Sequence, residues 1–473
     1  GLPVAVSKLV SEANALGRRN QVKRTFRLSL LLFLGLGLVS FLVMFFRADT
    51  LAGMMNDTKA AAGIRALAPA VVCVGCLSAL RGYSQGHNNM APTSISQIIE
   101  ALCKLIVGLG LAFWLIKADQ TPDVAAAGAI TGVTVGTMFA LVYMVLNYGF
   151  RGARTDLVTR DVPDAPRDIL TNLLRIAIPI TLSSSMVGIV TVIDSSLVQG
   201  QLQRTLLENQ ESWALYTSFV DFTQLEGAIA AWMAGLPAGT KATMAVLSEQ
   251  AEQALPAAVA LKEAVQDVSR PLYGNYGSAL TIYNLPTSLM TAVTAAVIPA
   301  VSGALARRDR RGAARVAGSA LRISALAAFP MGMFVLGTPI IRMLFTRMTP
   351  ELAGPLLSTL GLATVFVCMM LVCNSVLQAH GFVTMPVIVM VLGGVLKVFT
   401  NYNLVARPGV GIFGAPAGNI LCFGLCLLLD LVIISRVIPR HPPLIPIFLK
   451  PLAASAVMGG AAWVVYSVLA RLL

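Results

Sequence analysis

Charge is scarce in this chain of 473 residues, with Asp, Glu, Lys and Arg together making up only 12%. Set against 56% hydrophobic residues and a mean hydropathy of +0.77, that scarcity excludes a soluble globular domain and leaves a polytopic membrane protein. Also lacking are GxxxxGK[ST], HExxH and any polar block large enough to fold around a nucleotide. No cofactor is implied, and any transport must draw on a gradient or on the substrate itself. The net charge of +13 would suit nucleic acid if the basic residues formed one stripe, but they collect in short connectors, which argues against a nucleic-acid partner. The seven cysteines all fall inside apolar runs. Cys73 and Cys76 form a CxxC with no second pair or nearby His, so the thiols read as small hydrophobes rather than a disulfide or zinc site.

What is abundant is apolar sequence in runs of roughly 17 to 30 residues, the length that crosses a bilayer as helix. About twelve spans are expected, near 1–16, 28–46, 64–82, 94–116, 125–148, 168–197, 271–303, 316–337, 353–378, 384–404, 412–435 and 446–470. Numbering the connectors alternately puts "GRRNQVKRTFR", "RGARTDLVTRDVPDAPR", "RRDRRGAAR" and "RVIPRH" on one side, assigned to the cytoplasm. Both ends of the chain then lie outside. So does the long segment 200–270, with eight acidic against four basic residues. Its apolar core "GAIAAWMAGLP" is too short to span and is expected as an amphipathic helix or hairpin at the membrane face.

The chain repeats itself. Gln85, His87, Met90 and Pro92 match Gln378, His380, Met385 and Pro386 at shifts of about 293 to 295 residues. "AAAGAITG" pairs with "GIFGAPAG", and "LPVAVSKL" with "IPAVSGAL", each followed by a basic connector. The expected architecture is all-α: two pseudo-symmetric helical lobes in parallel orientation. The first lobe is 1–150 and 151–167 is a cytoplasmic linker. The second lobe is 168–437, with the outer insertion at 200–270, and 438–473 is an additional C-terminal helix. By symmetry one helix is expected before residue 1.

Polar residues inside the spans mark the candidate site. Pro92 to Lys104 is twelve residues and Pro386 to Lys397 eleven, so each lysine sits roughly 16 to 18 Å into its helix, near the middle of a core of about 30 Å. A charge there costs about 2.5–3.5 kcal/mol, so these side chains must face protein or water. Gln97, Glu100 and Lys104 share one helical face, and Lys397 shares another with Gly394 and Asn401. Two readings stand side by side: Glu100 and Lys104 as a buried structural pair, or symmetry-related cations lining a cavity that receives an anionic group such as a phosphate. Lys8, one turn from Glu12, and Asn284 are further cavity candidates, with snorkelling the rival reading for Lys8. Asp194 reads as structural, and His87 and His380 as loop histidines.

At "GLPVAVSKLVSEA", "LRGYSQGHNNMAPTSISQIIE", "AAAGAITG", "LYGNYGSALTIYNLPTSLM" and "VIPAVSGALARRD" the chain resembles the stage V sporulation protein B and polysaccharide biosynthesis branch of the multidrug, oligosaccharidyl-lipid and polysaccharide exporter superfamily. That superfamily also holds the bacterial lipid II flippase. The resemblance implies a fourteen-helix pattern, of which the first and last helices are missing here. It further implies a bacterial cytoplasmic-membrane flippase whose partners are membrane lipids, a polyprenyl-pyrophosphate saccharide and a coupling ion, H+ or Na+. The alternatives are a cation-coupled multidrug antiporter, with Glu100 as the exchanging carboxylate, and a membrane glycosyltransferase using the 200–270 segment.

Overall fold

The computed structural model describes residues 2–54, 61–118, 122–152, 161–236, 242–332, 337–345, 348–438 and 444–472. Much of the expected linker, residues 153–160, lies outside the described residues, as does the end of the last basic connector. The described residues are helical and contain no strand. Among the described residues ten helices are long and apolar enough to cross a membrane. Two further expected spans are helices as well: α1 (Leu2–Ala15) has only 14 residues, and α11 (Arg310–Gly332) opens on a run of arginines.

The chain falls into two compact units. Unit 1 holds residues 1–182, 295–316 and 378–383. Its helices are α1, α2 (Arg19–Phe46), α3 (Ala48–Met54), α4 (Ala61–Gly86), α5 (Ala91–Lys117), α6 (Pro122–Asn147) and the first part of α7 (Pro166–Glu208). A core of Val6, Val10, Phe26, Phe33, Leu77 and Tyr83 joins α1, α2 and α4. α5 lays Leu102, Ile106, Leu109 and Phe113, a stripe at helical spacing, on the exterior, each more than half exposed. For a span, that is the lipid-facing side.

Unit 2 holds residues 183–294, 317–377 and 384–473. It contains the rest of α7, then α8 (Thr223–Ala234), α9 (Met244–Glu252) and most of α10 (Pro256–Ala306). After α11 and α12 (Gly337–Leu344) come α13 (Pro350–Ala379), α14 (Met385–Val405), α15 (Gly414–Val437) and α16 (Leu444–Leu472). The expected spans 168–197 and 271–303 are parts of much longer helices. α7 has 43 residues and α10 has 51, about 64 and 76 Å at 1.5 Å per residue, more than twice the hydrocarbon core. Their extra turns have their own buried side. Leu202 and Leu206 of α7 and Leu261 and Val265 of α10 share a core with Leu225, Ile229 and Trp232 of α8 and with Leu247 of α9. Residues 227–234 of the "GAIAAWMAGLP" segment are therefore helical, and their apolar face is spent on this helical extension.

The repeat is visible in local structure. Gln85 is the next-to-last residue of α4 and Pro92 the second of α5; Gln378 and Pro386 hold the same places in α13 and α14. Proline is tolerated there because first-turn N–H groups have no intrahelical acceptor.

Candidate functional site

In unit 1 the α4–α5 hairpin builds a charged cluster. α4 ends at Gly86 and α5 begins at Ala91, so Arg81 and Ser96 lie five residues from their respective ends, at equal depth. Arg81 Nε donates to Ser96 Oγ at 2.9 Å and its Nη2 to Glu100 Oε2 at 2.9 Å. Lys104 Nζ lies 2.7 Å from the other oxygen of Glu100. Two cations thus meet one carboxylate, and the cluster keeps one net positive charge. Arg81 and Glu100 side chains are 15% exposed, while that of Lys104 is 39% exposed. α6 closes on this helix where it has no side chain: a Cβ on Gly136 would stand 2.7 Å from the Glu100 carbonyl and 3.2 Å from Cγ of Lys104. Any larger residue would push Lys104 aside. Gln97 is exposed on α5 and takes no part in the cluster.

In unit 2 the equivalent lysine lives differently. Lys397 Nζ is 3.0 Å from Asp194 Oδ2, the two side chains being 4% and 2% exposed. Asn401 Nδ2 donates to Asp194 Oδ1, and the Tyr276 hydroxyl donates to Oδ2 at 3.5 Å. Asn419 Nδ2 donates to the Tyr276 oxygen at 3.0 Å. Four helices, α7, α10, α14 and α15, therefore converge on one ion pair. Gly418 of α15 leaves the room Asn401 needs, since a Cβ there would collide with its amide. Beside the pair lies a cavity of about 280 Å³ between α7 and α14, walled mostly by aliphatic side chains including Met186, Ile189 and Val395.

The other expected residues lie apart from both centres. Lys8 is 5% exposed and donates to the Gln378 carbonyl at 2.8 Å, in the last turn of α13, where a cation meets the negative end of the helix dipole. Ser11 of α1 donates likewise to the Pro299 carbonyl at 2.6 Å. Asn284 is exposed on α10, and its carbonyl accepts from Ser288. His87 is hydrogen-bonded to the Tyr83 carbonyl at 2.9 Å. Sequence reasoning passed over Arg81, although the equal distances from the hairpin turn were available to find it. Asp194, read from sequence as structural, is the partner of Lys397.

Ionisable side chains inside apolar helices long enough to cross a bilayer mark a functional site, with substrate and ion pathways among its uses. Comparison makes this specific. The family described as "Polysaccharide biosynthesis protein" matches residues 1–305, so the chain belongs to that family, and the MatE family matches residues 274–403. Stage V sporulation protein B of Bacillus subtilis (strain 168) is 23% identical over 445 residues, covering 93% of this chain and 74% of that protein. The lipid II flippase MurJ of the same organism is 28% identical over 161 residues, 32% of this chain and 30% of its own length. Among solved structures, an outward-facing multidrug resistance MATE family transporter aligns with TM-score 0.65 at 15% identity, over 92% of this chain and 83% of that one. A superfamily transporter from Pyrococcus furiosus, described as having a binding pocket of reverse polarity, aligns with TM-score 0.61 at 14% identity, over 92% of this chain and 84% of that one. At such identities the likeness concerns the fold. The chain is a multi-pass transporter of the multidrug, oligosaccharidyl-lipid and polysaccharide exporter superfamily, and not an enzyme.

Proposed function

We propose that this transporter is a flippase of the bacterial cytoplasmic membrane that moves a polyprenyl-pyrophosphate-linked saccharide from the inner to the outer leaflet. The observation that carries the reading is the surplus cation of the Arg81–Glu100–Lys104 cluster. Its lysine is both deep in a span and partly uncovered. A charge at that depth needs water or an anion beside it, and a pyrophosphate supplies the anion while its polyprenyl tail stays in lipid. Lys104 and Arg81 would hold the phosphates, Glu100 would keep the two cations fixed, and movement of the lobes 1–150 and 168–437 would expose the head group to each side in turn. The basic connectors would face the cytoplasm and both ends of the chain the outside. Lys397 and Asn401 enter this scheme as parts of a buried counter-charged centre rather than as direct phosphate ligands.

The drug-antiporter reading needs a carboxylate free to exchange protons for a cationic compound. Glu100 is bracketed by two cations and Asp194 by one, so neither is free for that exchange, and the surplus positive charge of the unit 1 cluster favours an anionic substrate. The deciding experiment reconstitutes the chain in liposomes. It follows a labelled undecaprenyl-pyrophosphate saccharide beside uptake of a cationic dye. Lipid movement that is lost in Lys104→Met and Arg81→Met is expected; dye uptake without lipid movement would overturn the proposal.

A further inference from the structure

Asp430 is a carboxyl that the cluster and the ion pair leave out. It lies in α15, within a helix apolar and long enough to span, and is 0% exposed. Neither of its oxygens has a hydrogen-bond partner among the described residues. The contrast with two other carboxylates inside apolar helices is plain: Glu100 meets Arg81 and Lys104, and Asp194 meets Lys397, Asn401 and Tyr276.

Among the described residues no cation forms an ion pair with it. α15 buries Asn419, Cys422, Cys426 and Asp430 along one face, at 2%, 0%, 0% and 0% exposure, so this side of the helix is turned into protein and away from lipid. Among the described residues, the thiols of Cys373 on α13 and of Cys426 one turn earlier on α15 lie within electrostatic reach of Asp430. A thiol carries no positive charge. An ionised carboxylate without cation or donor, in a low-dielectric interior, costs far more than a neutral acid in the same place.

We propose that Asp430 is a proton-binding site. It carries H+ in the state described, and gives it up when the α13–α15 packing admits water. On the flippase reading, which this half of the inference rests on, that proton is the coupling ion.

The site is tested first without any transport. Infrared spectra of the full chain in liposomes at neutral pH should show a protonated-carboxyl C=O band that shifts on deuteration. The band should be lost in Asp430→Asn and kept in Asp267→Asn, an exposed control. A wild-type spectrum with no such band overturns the proposal, whatever the fold of the variant. Coupling is then read as movement of the labelled saccharide lipid with and without an imposed pH gradient. Acceleration by the gradient in wild type, abolished in Asp430→Asn, supports it; movement indifferent to pH but dependent on Na+ overturns it. A band present in a protein that moves no lipid would leave the proton site standing and remove the flippase reading instead.

Discussion

Lys104 and Lys397 hold matching places in the repeat, yet one is 39% exposed in a cluster with a surplus positive charge and the other 4% exposed in a neutral pair. The first shares Glu100 with Arg81, so its own carboxylate is already half spent. The second has Asp194 nearly to itself, reinforced by Asn401 and Tyr276. Matching positions of the repeat thus carry a lysine in two different electrostatic settings. On the proposed reading the unit 1 lysine would meet the anionic substrate, whereas the unit 2 lysine joins an ion pair on which four helices converge.

The largest effect should come from breaking the unit 2 pair. Asp194→Ala leaves an unpartnered buried ammonium, a change that costs about 3–5 kcal/mol where it has been characterised in protein interiors. Thermal unfolding in detergent should show that loss. The double variant Asp194→Leu with Lys397→Met should recover most of it, because two apolar side chains need no counter-charge. If the double variant is as unstable as the single one, the pair is not what Asp194 contributes.

This centre also shows where the sequence stopped being informative. The apolar helices follow from run length, and the level of each lysine within its helix from the helical rise and the proline landmarks. The partner of Lys397 does not. The second half offers two membrane carboxylates, Asp194 and Asp430, and only packing of α7 against α14 chooses between them. Arg81 was within reach, since hairpin ends at Gly86 and Ala91 fix its level opposite Ser96. The extension was not, because the turns of α7 and α10 beyond the bilayer are less apolar and read as connectors until Leu202, Leu206, Leu261 and Val265 are seen to share one core with α8 and α9.

Next in size is the unit 1 cluster, where stability and transport should separate. Arg81→Met removes charge-assisted bonds to Glu100 and Ser96 and should cost about 1.5–3 kcal/mol. Lys104→Met removes a partly exposed partner while Arg81 still holds Glu100, so its stability cost should stay below about 1 kcal/mol. Lipid movement, by contrast, should fall about tenfold or more in Lys104→Met if one charged contact to phosphate is lost. A Lys104→Met protein that flips lipid at the wild-type rate would make the two lysines alike after all, both structural.

The smallest effect concerns the extension, which belongs to unit 2. Tyr216 is fully buried beneath it, and its hydroxyl oxygen accepts from the Ile412 amide at 2.8 Å, in the turn where Gly411 takes a φ of +51°. Tyr216→Phe leaves that amide without its acceptor and should cost about 1 kcal/mol, read as faster deuterium exchange at Ile412 with no change at the Lys397 centre. Burial also pushes the Tyr216 phenol up to about 12 from its usual 10. A proton bound more tightly in the folded state makes the contribution complete below pH 10 and removes it as pH rises from 10 towards 12. Exchange at Ile412 should therefore be steady, after correction for the intrinsic rate, through neutral and mildly alkaline pH. It should accelerate above pH 10 in wild type and show no such step in Tyr216→Phe. A step shared by both proteins would mean that the alkaline transition starts elsewhere in unit 2, and that this tyrosine does not pin the extension to the 411–413 turn.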